Sequence, residues 1–422
     1  MIMGSRTRKC VSFAGVALLL CHAAGCGSSG DSSPAAAGSG EQPAASTAAV
    51  DAAQVAALPT ASVGTGAQAQ ADTGLPAKGT PERLLYDIDQ LRKRPLPQTR
   101  DMAELRGVQM SRNEQIVELA TEAIARTHDQ EDREEQFNEA VHNLMEARLQ
   151  LALQGKEEHI DLLYNQAESL YRRDPKSQAA IDAARVRVRF AHTNAMRFAE
   201  REPKWLQELA QQARTFAANF PQEDIHAVEL LYAAGRSCEL HGLTDEAIAC
   251  YSLVTRQFAN SRNAKAAQVP AILRRLQLPG QPLELAGPER GGKFVRIEDY
   301  RGKAVLVVFW ASGTPRVHDY LPSIREAQEK LGAEKLSVIG VNLDEDELAL
   351  EAFVERNGLN WPQIFHTDPS RRRWENPVAR FYGLRDIPAV WLIDAEGTVV
   401  STNVTPEDLV PAVSRQVART SR

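Results

Sequence analysis

Thr314 and Val317 bracket a Thr-Pro-Arg-Val turn that follows an apolar run and opens a helical segment. A helix N-terminus is where a nucleophile gains most from the helix dipole. Two thiols at this spacing would exchange disulfides, the first with a lowered pKa and the second resolving the mixed disulfide. Neither residue carries a thiol. A threonine hydroxyl is too weak an acid to attack without a dedicated base, and valine has no heteroatom. What Thr314 can do is cap. Threonine at the N-cap with Pro315 at the first helical position is a favoured helix start, worth about 1 kcal/mol over alanine.

Other chemistry-bearing residues are sparse. The chain has five cysteines, at positions 10, 21, 26, 238 and 250. Cys238 and Cys250 fall on two helical segments of one repeat-like unit, where cysteine behaves as a small core hydrophobe. A disulfide between them is the other reading, which an exported compartment would permit. His318, His366 and the acidic group Asp344, Glu345, Asp346 and Glu347 have no metal-ligand spacing and read as solvated surface, so no metal or other cofactor is expected. Arg371, Arg372 and Arg373 read as an exposed loop, and Trp361-Pro362 as structural.

At 422 residues the chain has room for two or three cores. A net charge of -6 offers no field that would attract nucleic acid. Arg6, Arg8 and Lys9 precede an apolar run, Val11 to Leu20, that is too short to span a membrane. The following Ala23-Ala24-Gly25-Cys26 resembles a bacterial lipobox, with Ala23 in place of the usual leucine. Residues 1–26 are therefore expected to be a lipoprotein signal, Cys10 and Cys21 leaving with it and Cys26 carrying the acyl chains. Residues 27–79, rich in Ala, Gly, Ser and Pro, read as a disordered linker with a reach of roughly 40 Å.

Residues 80–278 carry helical periodicity throughout. Leu84, Leu85, Ile88 and Leu91 form one stripe; Leu105, Val108, Ile116, Leu119, Ala123 and Ile124 form another. Between Leu230 and Asn260, Gly235, Gly242, Ala247, Tyr251 and Phe258 stand at a spacing that resembles a tetratricopeptide repeat. Gly235 and Ala247 would let paired helices approach, Gly242 would close the turn, and Tyr251 and Phe258 are expected in the core.

From Leu278-Pro279-Gly280 onward, strand and helix patterns alternate, as an α/β domain over 279–422 requires. Short strands are expected at Leu283–Leu285 and Lys293–Ile297, then a buried strand running from Ala304 to Trp310. A helix from Pro315 to Leu331, a strand from Leu336 to Val341 and a helix from Glu345 to Asn357 should follow. A hairpin of Ala389–Ile393 with Thr398–Asn403, and a helix from Pro406 to Val417, close the chain.

Several motifs in this region are similar to the TlpA/ResA-like thioredoxin-fold (redoxin) family: Arg301-Gly302-Lys303, Phe309-Trp310-Ala311, Pro322, Val338-Ile339-Gly340-Val341-Asn342 and Ile387-Pro388-Ala389. The resemblance implies a thioredoxin-like fold in which Pro388 is the cis-proline facing the active-site turn. It also implies that Thr314 and Val317 occupy the two cysteine positions, with Gly313 and Tyr320 as further departures. A peroxiredoxin-like Thr-x-x-Cys is excluded by Val317. A peptide- or anion-binding notch is then open to Thr314, Pro315, Arg316, Ile387 and Pro388.

The expectation is a multidomain chain: a signal and linker, an α-helical TPR-like domain and a thioredoxin-like domain. It would be an exported, membrane-anchored envelope lipoprotein facing the periplasm or exterior, redox-silent, binding a protein or peptide partner. The alternative is a thiol-disulfide oxidoreductase using Cys238 and Cys250 or a partner's thiols.

Overall fold

The computed structural model describes residues 75–289 and 292–420. The expected signal, Cys26 and most of the linker lie outside those residues. All that is described belongs to one compact unit, 59–422, which includes both the helical and the α/β parts. Among the described residues, no helix is long and apolar enough to cross a membrane.

Nine helices of the described region come first: α1 (Pro81–Lys93), α2 (Met102–Thr127), α3 (Glu134–Leu153), α4 (Glu157–Arg173), α5 (Gln178–Phe198), α6 (Lys204–Asn219), α7 (Asp224–Leu240), α8 (Thr244–Gln257) and α9 (Val269–Leu276). Their starts are written locally. The Thr80 hydroxyl accepts from Arg83 N, the Asp101 carboxylate from Ala103 N and Glu104 N, and the Ser177 hydroxyl from Ala180 N. Short connections make successive helices pack against each other as neighbours.

Leu84, Leu85 and Ile88 are buried as expected. The α2 stripe is corrected: its first two turns are largely exposed, Val108 among them, and the buried line is Ile116, Ala120, Ala123 and Thr127. Tyr251 and Phe258 are core residues, 0% and 4% exposed. A Cβ on Gly235 would come within 2.9 Å of the Tyr251 ring, so the missing side chain is what admits that ring between α7 and α8.

The α/β part contains a hairpin of β1 (Ala286–Pro288) with β2 (Phe294–Arg296), then β3 (Ala304–Trp310), α10 (Val317–Leu331), β4 (Leu336–Asn342), α11 (Glu347–Asn357), β5 (Gln363–Ile364), α12 (Pro377–Phe381), β6 (Ala389–Ile393), β7 (Val399–Ser401) and α13 (Pro406–Thr420). The sheet order is β5-β4-β3-β6-β7, with β3, β4 and β5 parallel and β6 and β7 antiparallel to their neighbours. Strand β3 is buried along its whole length. Leu306, Val308 and Trp310 pack toward α10 and α13, while Val305, Val307 and Phe309 pack toward Tyr382 and Trp391. This two-sided burial explains the unbroken apolar run, each large side chain contributing about 1.5–3 kcal/mol.

Three expectations are corrected here. Leu283–Leu285 is no strand: both leucines are buried, between an isolated bridge of Pro282 with Thr398 and the β1–β2 ladder that starts at Ala286. Strand β5 and helix α12 escaped notice because two and five residues are too few for a periodic signal. Helix α10 begins at Val317, not Pro315.

Candidate functional site

The register of the sheet brings three segments to one end of it. Phe309 pairs with Ala389 across the antiparallel ladder, and Trp310 pairs with Asn342 across the parallel one. The turn after β3, the loop after β4 and the loop before β6 therefore meet where Thr314, Asp344 and Pro388 lie. The Ile387-Pro388 peptide is cis, as the resemblance implied.

The turn is held by a carboxylate that had been read as surface. Asp344 is only 7% exposed, and it accepts from Ser312 N at 2.9 and 3.1 Å, from the Ser312 hydroxyl at 2.8 Å and from Asn342 Nδ2 at 2.7 Å. Leu343 N donates to Trp310 O at 2.8 Å, extending the β3–β4 pairing into the turn. The sequence clue was Asn342-Leu343-Asp344 at the C-terminal end of a buried parallel strand, where functional side chains collect in open α/β sheets.

The N-cap assignment of Thr314 is corrected. Its carbonyl accepts from Val317 N at 3.1 Å, Pro315 O accepts from His318 N at 3.2 Å, and Arg316 takes the cap position with no side-chain cap. These i→i+3 bonds wind the chain tightly before α10, so the proline is spent in the lead-in turn rather than at the helix start. Thr314 is half-buried, Pro315 and Arg316 are exposed, and Ile387 and Pro388 are half-buried at the facing loop. Val317 is 1% exposed and belongs to the core beside Tyr320 and Leu321.

The helical part reaches this site through the loop that leads into Pro388. Arg236 on α7 pairs with Asp386 at 2.6 Å, and the Arg385 guanidinium lies 5.0 Å from the centre of the Tyr232 ring while also bonding Gln268. Arg274 on α9 stacks 3.9 Å over Phe381 and donates to its carbonyl. Gly383, at φ +57°, lies so close to α9 that a Cβ there would be 2.7 Å from Ile272 N.

Two further readings change. Arg372 is no exposed loop residue: its guanidinium donates to the carbonyls of His366, Glu345 and Thr367, each at 2.8 Å, and stacks 4.6 Å from the Phe365 ring. It ties the 366–373 segment to the loop beside Asp344, and Arg373 there adopts φ +53°. His366 is buried rather than solvated, and burial lowers its pKa. Trp361 is 8% exposed, in keeping with a structural role.

Cys238 and Cys250 are free thiols, each 0% exposed. They point at successive turns of α6, donating to Leu206 O at 3.6 Å and Ala210 O at 3.9 Å. Burial pushes the Cys238 thiol up to about 12 and the Cys250 thiol up to about 11. Residues 279–422 contain no cysteine. Among the described residues, no group of three or more His, Cys, Asp or Glu side chains is placed to hold a metal ion.

Comparison with known proteins matches residues 279–402 to the AhpC/TSA family. The thiol-disulfide oxidoreductase ResA of Geobacillus thermodenitrificans (strain NG80-2) is 29% identical over 121 residues, 28% of this chain and 66% of that protein. ResA of Bacillus subtilis (strain 168) is 25% identical over 112 residues, 26% of this chain and 59% of that protein. The chain thus spans less than two thirds of the length of these relatives. Among solved structures, the thioredoxin domain of a thiol-disulfide oxidoreductase from Bacteroides vulgatus is 24% identical, covering 33% of this chain and 97% of that one, with a TM-score of 0.30. A putative thiol:disulfide interchange protein DsbE from Chlorobium tepidum is 27% identical, covering 34% and 96%, with a TM-score of 0.29. By sheet order, cis-proline and family match together, residues 279–402 are a thioredoxin-like domain of the AhpC/TSA family, carried behind a helical region.

Proposed function

We propose that this chain is an exported, membrane-anchored lipoprotein whose thioredoxin-like domain binds an extended peptide or protein partner without performing thiol chemistry. The observation that carries the reading is the filling of the two redox positions. Thr314 carries a hydroxyl, and Val317 is a core residue, where the resemblance would place two thiols. What remains is the geometry for recognition: a cis-proline edge at Ile387-Pro388, the exposed Pro315 and Arg316, and a turn made rigid by Asp344. The N-terminal basic and apolar run ending at Cys26 supports export and anchoring.

The second reading, an oxidoreductase acting through Cys238 and Cys250, is disfavoured by their burial and raised pKa, since the attacking species must be an accessible thiolate. Reduction of insulin by dithiothreitol separates the two. The purified protein should leave the rate at the dithiothreitol background. Turnover abolished by joint Cys238→Ser and Cys250→Ser replacement would establish the second reading instead.

A further inference from the structure

One corner of the helical part gathers cations that the fold leaves unpaired. From Arg92 to Arg112 there are six basic and two acidic residues, in a chain whose net charge is -6. Lys93 is paired with Asp89 at 2.6 Å, and Arg112 donates from Nη2 to Arg94 O at 2.7 Å. Arg92, Arg94, Arg100 and Arg106 are exposed, and among the described residues their side chains make no hydrogen bond or ion pair. Of the two acids, Asp101 is engaged in capping α2, which leaves Glu104. The corner is therefore a positive patch on a chain of opposite net charge.

The cations and their neighbours share one space. Arg92 of α1, Gln109, Arg112 and Asn113 of α2, and Gln150 and Gln154 at the end of α3 line a single open cleft of about 310 Å³. Glu146 also lines it, but its carboxylate is held by Arg189. Met102 and Arg106 stand on the same face of α2 as Gln109 and Asn113, at i, i+4, i+7 and i+11. Val108 lies one turn before Arg112, and Leu96 lies just past the Arg94 carbonyl that Arg112 grips. Leu96, Met102 and Val108 are all exposed. A cationic cleft rimmed by exposed apolar side chains suits a peripheral membrane contact, with anionic headgroups for the arginines and the acyl boundary for the apolar tips.

We propose that the end of α1, the 94–100 loop and the first turns of α2 dock on a bilayer surface that contains anionic phospholipid, Arg92 and Arg112 taking a headgroup phosphate into the cleft. The choice of a bilayer over a soluble anion rests on the exported, anchored reading above. The linker's expected reach is roughly 40 Å. Helix α1, 13 residues or about 20 Å long, is what separates the linker's end from the corner. A lipid on Cys26 and this corner can therefore meet the same surface.

The test uses the chain from residue 27, which keeps the whole compact unit 59–422 and has no Cys26 to acylate. It is sedimented with vesicles of phosphatidylcholine alone and with vesicles of equal parts phosphatidylcholine and phosphatidylglycerol. Binding should appear with the mixed vesicles only and weaken in high salt. Joint Arg92→Gln, Arg100→Gln and Arg106→Gln replacement should lower the affinity about 5-fold per arginine, roughly 100-fold together. The three side chains hold no partner, so the variant's melting temperature should match that of the unaltered chain. No binding to the mixed vesicles, equal binding to both kinds, or an affinity undiminished in the triple variant overturns the proposal. Binding of inorganic phosphate without binding of vesicles overturns it too, assigning the cleft to a soluble anion. Recovery of the full-length chain from the soluble fraction of cells that express it would instead overturn the anchored reading and leave vesicle binding standing.

Discussion

Asp344 shows how a single side chain can organise a turn that carries no thiol. Its carboxylate accepts from both the backbone and the hydroxyl of Ser312 and from Asn342, so every strong donor around it is satisfied. Asp344→Ala leaves those donors unpaired in a nearly buried place and should destabilise the protein by about 2–3 kcal/mol in urea unfolding. Ser312→Ala removes only the hydroxyl bond, leaves the backbone bond intact, and should cost about 1 kcal/mol in the same measurement. If the two losses are equal, the carboxylate does not organise the turn. By residue type Asp344 looks like Glu345, Asp346 and Glu347; only its place just past the end of a buried parallel strand sets it apart, and the strand end turns it inward.

At the scale of elements, the α6–α7–α8 packing seals two thiols, and this has a pH signature. The folded state keeps Cys238 and Cys250 protonated up to about 12 and about 11, above the ordinary thiol value of 9.0 expected of the unfolded chain. The folded protein then holds more protons than the unfolded one in that interval, so stability should be full below about pH 8 and fall as pH rises from about 9 toward 11. Joint Cys238→Ser and Cys250→Ser replacement should flatten that fall in chemical denaturation. Labelling by a thiol reagent at pH 8 should need unfolding, so a native-state rate matching that of a free thiol would contradict the packing.

The loop before Pro388 is a second element-scale case. Gly383→Ala would force a Cβ against the backbone of α9 in a left-handed conformation. It should cost more than 1 kcal/mol and raise hydrogen exchange at 384–389, while exchange in β3 stays unchanged.

For the whole molecule, the contacts of α7 and α9 with residues 381–386 make the helical part a support for the cis-proline edge. Arg236, Arg274 and Arg385 all act across this junction. The two parts should therefore melt in one calorimetric transition, and Arg236→Ala combined with Gly383→Ala should broaden or split it. Two well-separated transitions in the unaltered protein would show that the parts are independent. A partner bound at Ile387-Pro388 would meet a loop whose position α7 and α9 help to set.

The sequence by itself determined the order of the longer α/β elements, the long buried strand, the helical character of residues 80–278 and the absence of thiols at Thr314 and Val317, and its motifs, by their family resemblance, implied the cis-proline. These are local facts: periodicity, turn chemistry and motif residues are written within a few positions of one another. Tertiary structure alone decided that Val317 belongs to the core, that α10 starts past Thr314, that Asp344 and Arg372 turn inward, and that the helical region holds the loop before Pro388. Those outcomes depend on residues far apart in the chain meeting through sheet register and helix packing. Burial and hydrogen-bond partnership are properties of that meeting, which no single segment encodes.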